Sequence, residues 1–313
     1  MTDIVGKRYW FFALSALVIL VGLIGMIISA SRFGSPLRLS IDFTGGALME
    51  LTFEQPVTPE KIRQIFGDRG YGDTTVQTTS DERTVVIRSK ELQEGEKAII
   101  QAELTNEFGP LTELRFEQMG PTIGREVTRS ATIAISAAAL VIMGFIIFAW
   151  RKVPHAFRYG VCASAATLHD VLVTMGAFSI LGLLFGWEAD ALFLTAILTI
   201  TGYSVQDTIV VFDRIRENIP KRRGEPYELI VNRSILETVH RSLATQLNAI
   251  FILVAILFFG GSTIRQFVAT LLIGLVSGTY SSIFTAVPLL VIWEKGELGG
   301  FFRRLFGRSR AAP

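Results

Sequence analysis

The sequence predicts a polytopic α-helical membrane protein with six transmembrane helices and one small α+β domain outside the membrane. The chain has 313 residues, of which 50% are hydrophobic and only 19% are charged. Soluble domains carry about 25% charged residues, so this composition excludes an ordinary soluble protein. The 28 acidic residues are nevertheless too many for a chain embedded wholly in lipid, which indicates an attached soluble domain.

The remaining composition excludes further classes of protein. The net charge of +2 is too small to indicate nucleic-acid binding. The only cysteine, Cys162, lies in an apolar stretch, so neither a disulfide scaffold nor a cysteine zinc site is expected. The three histidines do not suggest a histidine cluster. We therefore expect neither a metal nor another cofactor.

Six apolar stretches are long enough to span a membrane. A spanning helix needs about 20 mostly apolar residues, because each residue adds about 1.5 Å across about 30 Å of hydrocarbon. The first stretch lacks a cleavage site of small residues, so we expect a retained anchor and not a signal peptide. The stretches are Trp10–Ser29, Ala131–Trp150, Phe157–Leu184, Ala191–Phe212, Leu243–Gly260 and Phe267–Trp293.

The distribution of lysine and arginine predicts the orientation of these spans. Short loops on one side carry Glu188, Asp190 and the single basic residue Arg265, whereas the other side is strongly basic. Basic loops favour the cytoplasm, so both termini are expected there and residues 31–128 outside. The basic side contains Lys7, Arg8, Arg151, Lys152, Arg158, the run from Arg214 to Arg241, and Lys295, Arg303, Arg304, Arg308 and Arg310.

These spans divide the chain into four predicted parts. An N-terminal tail and the first transmembrane helix occupy residues 1–30, and an extracytoplasmic domain occupies 31–128. A five-helix transmembrane bundle follows at 129–293, with a cytoplasmic linker at 213–242, and residues 294–313 form a basic cytoplasmic tail. Apolar spacing predicts an amphipathic helix along the membrane surface from Tyr227 to Val239.

The external part has the pattern of a ferredoxin-like α+β sandwich, because its predicted elements follow the order βαββαβ. Thr58 and Pro59 open one helix, and the second helix, Glu96–Phe108, stops at Gly109. A Ser80-Asp81-Glu82 turn joins two alternating strands. An extra strand is predicted at Leu37–Phe43. We see no convergent catalytic set here and expect a binding or spacing module.

A pair of glycines follows the predicted extra strand. Thr44-Gly45-Gly46 lies between two strand-like runs, and paired glycines permit a tight turn with positive φ. By itself this pattern predicts only a turn.

Asp170 and Asp207 are the only ones of the 28 acidic residues that fall inside the predicted spans. A charge at membrane depth costs on the order of 2.5–3.5 kcal/mol, so both residues are functional candidates. The alternative is that each carboxylate is only a structural hydrogen-bond acceptor within the helix bundle.

Asp207 lies in an unusually polar segment, Thr199–Thr208, which must face helices or water because lipid cannot satisfy polar groups. It lies about 10 Å from the cytoplasmic end of its span, at 1.5 Å per residue to Arg214. Arg241 lies just before the fifth predicted span. Its side chain either extends to the membrane interface, as a snorkelling cation does, or pairs with Asp207. A nearby cation favours the charged carboxylate and burial favours the neutral acid, so together they would let Asp207 load and release a proton.

Three strings of this sequence closely resemble the SecF family, one half of the bacterial SecD–SecF protein-export complex. They are Ile41–Gly46 (IDFTGG), Leu168–Val171 (LHDV) and Gly202–Asn218 (GYSVQDTIVVFDRIREN). The last string is long and specific, and the similarity covers essentially the whole chain. Gln206 departs from the asparagine expected in many relatives, but it keeps the amide group.

The resemblance implies an RND-type half of six spans with a small extracytoplasmic domain, working as an accessory subunit and not as an enzyme. It implies a location in the cytoplasmic membrane and export of preproteins driven by the proton-motive force. The implied partners are SecD, the SecYEG channel, the SecA motor, YajC, a translocating preprotein and membrane lipid. By resemblance, Asp207 matches the family's proton-carrying aspartate and Arg241 its partner arginine. Asp170 matches an acidic motif of the third span and completes the expected proton relay.

Two other functions are alternatives to preprotein export. Half of an RND exporter of lipids or drugs shares the membrane pattern, but those proteins have much larger external domains. An intramembrane hydrolase would use Ser164 or Ser204 with His169 and Asp170. Adjacent helical residues point about 100° apart, so Asp170 is badly placed to orient His169. The sequence also lacks a G-x-S-x-G elbow.

Overall fold

A computed structural model describes residues 3–78, 82–151 and 155–297. One compact unit comprises the residues up to Arg38 together with those from Ala134 onward, and a second comprises Leu39–Ile133. A π-helical segment, Ser282–Ala286, lies between the last two helices. In chain order the elements are α1 (Arg8–Phe33), α2 (Ile41–Thr44), β1 (Gly46–Phe53), α3 (Pro59–Asp68), β2 (Thr75–Thr78), β3 (Thr84–Ser89), α4 (Glu96–Phe108), β4 (Leu111–Met119), α5 (Pro121–Ala149), α6 (Ala156–Phe185), α7 (Ala191–Lys221), α8 (Tyr227–Phe259), α9 (Ser262–Ser281) and α10 (Val287–Glu294).

Six helical segments in the described part of the chain are long and apolar enough to cross a membrane, which confirms the predicted number of spans. Five are the single helices α1, α5, α6, α7 and α8, and the sixth, Ile264–Glu294, runs from α9 through α10. The segment predicted as a linker is mostly helical, because α7 continues to Lys221 and α8 already begins at Tyr227. The amphipathic helix predicted from Tyr227 is therefore the first part of α8. Most of the basic tail lies outside the described residues.

The last span changes its helical pitch just before a proline. Pro288 lies at the start of α10, and the π-helical segment Ser282–Ala286 precedes that helix directly. Proline has no backbone N–H, and its ring crowds the carbonyl of the preceding turn, so a regular α-helix cannot continue through it unchanged. The wider turn of the π-helical segment accommodates the proline.

The helices of the first unit differ greatly in burial. The last span and α7 are the most enclosed, whereas α5 and α8 leave most of their apolar surface exposed. The pair α1 and α6 approaches most closely at glycines, where a Cβ on Gly176 would lie 2.5 Å from the Cα of Gly22. Small residues at such a crossing allow two helix backbones to pack directly.

The second unit contains the ferredoxin-like sheet that the sequence predicts. The four strands lie in the order β2-β3-β1-β4, and every neighbouring pair is antiparallel. With α3 and α4, the chain order is the predicted βαββαβ. The largest buried side chains of its core include Phe53, Phe66, Ile62, Ile100 and Leu104. The predicted turn Ser80-Asp81-Glu82 falls mostly outside the described residues.

The predicted extra strand at Leu37–Phe43 is wrong. Residues Ile41–Thr44 form the short helix α2, and Ser40 caps it by accepting a hydrogen bond from the backbone N–H of Asp42 at 3.2 Å. A serine at this position satisfies a free N–H of the first turn, and this local bond favours a helical turn over an extended strand.

The glycine pair joins α2 to β1 and therefore does not connect two strands. Gly45 has a φ of 73° and Gly46 a φ of 112°, which confirms the predicted positive φ. A Cβ on Gly46 would lie 2.5 Å from the carbonyl oxygen of Ser89. A Cβ on Gly124, in the first turn of α5, would lie 2.8 Å from the backbone nitrogen of Gly45. Glycine is required here both by conformation and by close backbone packing.

Candidate functional site

Asp207 lies inside the helix bundle, in the middle of α7. Its residue surface is only 4% exposed. The amide Nε2 of Gln246, on α8, donates a hydrogen bond of 2.5 Å to its Oδ2. This is the one hydrogen bond that the described structure gives the Asp207 side chain, so the carboxylate is buried with an uncharged partner.

The register between α7 and α8 explains why Gln246 occupies this position. Further along the same pair of helices, Arg214 binds Glu237 at 2.6 Å and Asn218 donates to Ser234 at 3.0 Å. The residue number rises on one helix as it falls on the other, so the helices are antiparallel. The three polar contacts thus specify one register, and in that register Gln246 faces Asp207.

Arg241 does not contact Asp207. It precedes Gln246 on α8 by about 7.5 Å of helix rise, toward the Lys221 end of α7. There it is exposed, and within the described residues it has no ion pair. It lines a cavity of about 570 Å³ with Val210 and Asp213 of α7, Glu237 of α8, and Trp150, which directly follows α5.

Two buried polar atoms of α8, one on the residue that binds Asp207 and one a helical turn before it, have no hydrogen-bond partner in the part of the chain that the structure describes. They are Oε1 of Gln246 and Oγ of Ser242, one helical turn apart on α8. Buried polar groups are ordinarily paired, so unsatisfied ones require an explanation. A carboxylic acid has an O–H that a carboxylate lacks, and it would give such an acceptor a partner.

Asp170 lies on α6 in a different environment. Its residue surface is 0% exposed. Ser204 of α7 and Ser281 of α9 each donate to its Oδ2 at 2.6 Å, and Ser277 of α9 donates to its Oδ1 at 2.7 Å. The Nδ1 of His169 lies 3.0 Å from Oδ1. Each carboxylate oxygen therefore has two hydrogen-bond partners.

The residues of the alternative hydrolase do not assemble. Ser204 donates to Asp170 and not to His169. The Oγ of Ser164 and the Nε2 of His169 are buried, and neither has a hydrogen-bond partner among the described residues. Nucleophilic catalysis by serine needs the hydroxyl within hydrogen-bond reach of its base, and this geometry does not provide that contact. The described residues also contain no group of three or more His, Cys, Asp or Glu side chains suited to a metal ion.

Sequence reasoning located both buried acids but missed their partners. Gln246 is an amide within an apolar span, so it could have been singled out by the same polarity argument as Asp207. Ser277 and Ser281 carry no such signal, because isolated serines are common in membrane helices. Their role follows only from how α9 packs against α6 and α7.

The fold and the site define a class. The described part of the chain has six helical segments able to span a membrane, two aspartates buried among them, and a small antiparallel α+β unit after the first helix. Ionisable residues inside membrane helices mark the pathways of ions, protons or substrates, so this is the arrangement of a membrane transport protein.

Family comparisons specify this class further. The family model for the C-terminal region of the protein export membrane proteins SecD and SecF matches residues 99–296. The SecD/SecF GG motif matches residues 33–57. The chain belongs to the SecD/SecF family of protein export membrane proteins.

Individual relatives agree with this assignment. A protein translocase subunit SecF from Thermobaculum terrenum is 50% identical over 97% of this chain and 98% of its own length. The subunit of the same name from Anaerolinea thermophila is 48% identical over 97% and 98%. The crystal structure of SecDF, a translocon-associated membrane protein from Thermus thermophilus, matches with a TM-score of 0.77 and 32% identity. That match covers 94% of this chain and only 39% of the SecDF chain.

Proposed function

We propose that this chain is the SecF half of a SecD–SecF complex that helps to export preproteins across the cytoplasmic membrane, using the proton-motive force. It would cooperate with the SecYEG channel, the SecA motor and YajC as an accessory subunit without enzymatic activity. The full-length similarity to protein translocase subunits SecF supports the export role. In the proposed orientation both termini are cytoplasmic and residues 31–128 lie outside.

A SecD partner would account for the lightly buried helices. The chain matches 39% of a SecDF chain, so the longer protein contains a large part that has no counterpart here. The helices α5 and α8 expose large apolar side chains, including Phe145, Phe251 and Phe258. Lipid or a second membrane subunit must cover such surfaces.

The observation that carries the proton-binding proposal is the pairing of Asp207 with Gln246. Burial disfavours a charged carboxylate, and the described structure gives Asp207 no cation that would offset this cost. A proton would remove the charge. The new O–H can then donate to Oε1 of Gln246, which is otherwise unsatisfied, while Nε2 continues to donate to the other oxygen. The neutral acid thus makes two hydrogen bonds where the carboxylate makes one.

This difference gives proton binding a structural consequence. The charged and neutral forms of Asp207 bind α8 differently, so protonation changes the interaction between α7 and α8. Packed helices change between discrete arrangements, and the external domain would follow their motion and help to hold the translocating chain. A proton that moves through the membrane potential supplies about 2.3 kcal/mol per 100 mV.

Arg241 would act at the inner end of this path. It lines the cavity beside α7 and is exposed, so water can reach it. A guanidinium stays charged at every accessible pH, and here it would favour the ionised form of Asp207 when the bundle rearranges. Its role would then depend on a second conformation in which the two side chains approach each other.

Export in reconstituted vesicles containing SecD, SecYEG and SecA tests the proposal. The variant Asp207→Asn keeps the size and polarity of the side chain but cannot ionise. We expect normal assembly and ATP-driven export, with loss of the part of export that an imposed proton gradient adds. The matched control is Glu225→Gln, which removes a carboxylate from the turn after α7 and should retain the full effect. A normal response to the gradient in Asp207→Asn would contradict the proposal.

A further inference from the structure

We infer that Asp170 is a positioning residue that remains an anion and ties α6, α7 and α9 together one helical turn from Asp207. This differs from the role in proton transfer that its location in a span suggests. The inference rests on the proposed function only for the identity of Asp207 as the proton-binding group. The evidence is the number, type and origin of the groups that surround the Asp170 carboxylate.

Four polar groups surround the Asp170 carboxylate, and they fill its acceptor capacity when the imidazole proton of His169 lies on Nδ1. A carboxylate is an acceptor with about four lone-pair sites on its two oxygens. The three serine hydroxyls and the imidazole Nδ1 supply two partners to each oxygen, at 2.6–3.0 Å. Hydrogen bonds donated to the charged form stabilise that form. When Nδ1 carries the imidazole proton, all four partners are donors, and a proton added to the carboxylate would displace one of them.

The other ionisable groups near Asp170 come from α6 and α9. On α6, His169 contacts the carboxylate, and on α9 the ring of Tyr280 stacks against His169 with centroids 6.2 Å apart. The hydroxyl of Tyr280 already donates to the backbone of Phe11 in α1 at 2.7 Å. The group from α7 is the uncharged Ser204, and in the described chain no lysine or arginine pairs with Asp170. The anion is therefore held by hydrogen bonds and not by a fixed cation.

The hydrogen bonds to Asp170 join three helices. Ser204 provides the contact with α7, while Ser277 and Ser281 provide two contacts with α9. Gly278 lies between those two serines, and a Cβ there would lie 3.5 Å from the Cα of Ser204, so the helices pack closely at this level. Ser281 also directly precedes the π-helical segment Ser282–Ala286.

The Asp170 cluster contacts the same turn of α7 that carries the proposed proton-binding residue. Ser204 and Asp207 are three residues apart on α7 and lie on neighbouring faces of one turn. If Asp170 holds Ser204, it also fixes the rotation and depth of α7, and with them the buried position of Asp207 against Gln246. Loss of a serine donor should loosen α7, admit water to Asp207 and favour its ionised form.

Labelling with dicyclohexylcarbodiimide tests both parts of the inference, because this reagent modifies protonated carboxyl groups in apolar surroundings. The full-length chain in lipid vesicles is treated over a range of pH, and the modified residues are identified by mass spectrometry. We expect labelling of Asp207 and none of Asp170. An adduct at Asp170 while the protein remains folded overturns the inference, whereas absence of an adduct at Asp207 counts against the proposed function instead.

Serine variants test the positioning role. We expect the labelling of Asp207 at fixed pH to slow by about tenfold in each of Ser204→Ala, Ser277→Ala and Ser281→Ala. The free energy that a hydrogen bond to a charged group contributes corresponds to an effect of about that size. Ser164→Ala is the matched control, because the Ser164 hydroxyl is buried on α6 and lacks a partner among the described residues. It should leave the rate unchanged.

The direct variant Asp170→Asn removes the charge itself and can fail to fold. The three serine variants test the positioning role in that case, because each removes only one hydrogen bond to Asp170. Circular dichroism of each vesicle sample verifies that its helices remain intact. Unchanged labelling of Asp207 in all three donor variants, with folding intact, overturns the positioning role.

Discussion

Asp207 and Asp170 are both aspartates inside membrane spans, yet the described structure gives their carboxylates very different numbers of hydrogen-bond partners. Asp170 has partners on both oxygens, and Asp207 has the single amide of Gln246. This difference in environment is the reason that we propose a permanent anion at Asp170 and a proton-binding group at Asp207. In this proposal the hydrogen-bond environment of each carboxylate, and not its depth in the membrane, determines its role.

The sequence identified these two residues because charge inside a span is costly. It did not identify their partners, because spacing along one helix fixes only which residues share a face. The structure places Gln246, and not Arg241, opposite Asp207 because of the register of α7 against α8. That register depends on contacts such as Asn218 with Ser234, which link residues distant in the sequence.

The glycine pair gives a prediction for single residues. Gly46→Ala would place a Cβ 2.5 Å from the Ser89 carbonyl oxygen, at a φ of 112°. We expect the external unit to lose about 1–3 kcal/mol of stability, because the backbone must leave a conformation that alanine rarely adopts. Urea titration of the full-length chain followed by brief proteolysis measures this loss. Gly67→Ala, with nothing within 4 Å of its added Cβ, is the control, and equal stability of the two variants would contradict the account.

At the scale of elements, hydropathy and turn signals predicted the spans and the βαββαβ order. Long apolar stretches have no other stable location than a membrane or a core, so the spans follow from hydropathy alone. The βαββαβ order also needed the local start, stop and turn signals of the external part. The strand at Leu37–Phe43 failed because a single cap at Ser40 favours a helical turn there. The helical continuity from Tyr227 into the fifth span also escaped prediction, because a polar first half and an apolar second half look like separate elements.

The crossing of α1 and α6 gives a prediction for helix packing. A Cβ on Gly176 would meet the Gly22 backbone, so Gly176→Ala must push the helices apart. Overpacking of this kind costs about 1–3 kcal/mol, and the thermal unfolding temperature of the purified protein should fall. The control Gly144→Ala on α5 has open space around the new methyl group and should not lower that temperature. Equal unfolding temperatures of the two variants would show that the crossing tolerates separation.

At the scale of the whole molecule, the distribution of basic residues predicts the orientation in the membrane. The only native cysteine, Cys162, is buried, so an introduced cysteine can be labelled selectively. We expect an impermeant maleimide to modify Asn106→Cys in spheroplasts and to modify Arg223→Cys only after permeabilisation, since both native side chains are exposed. The chain without an added cysteine is the control. The reverse pattern would place the basic loops outside and contradict the orientation.

Proton flux into vesicles that contain this chain and SecD is the most direct measurement of the central claim, which is that Asp207 carries the proton. An imposed membrane potential should drive flux through the native complex and none through Asp207→Asn. Gln246→Leu, which removes the only hydrogen-bond partner described for Asp207, should reduce the flux strongly. Undiminished flux in Asp207→Asn, with the complex correctly assembled, would contradict the account.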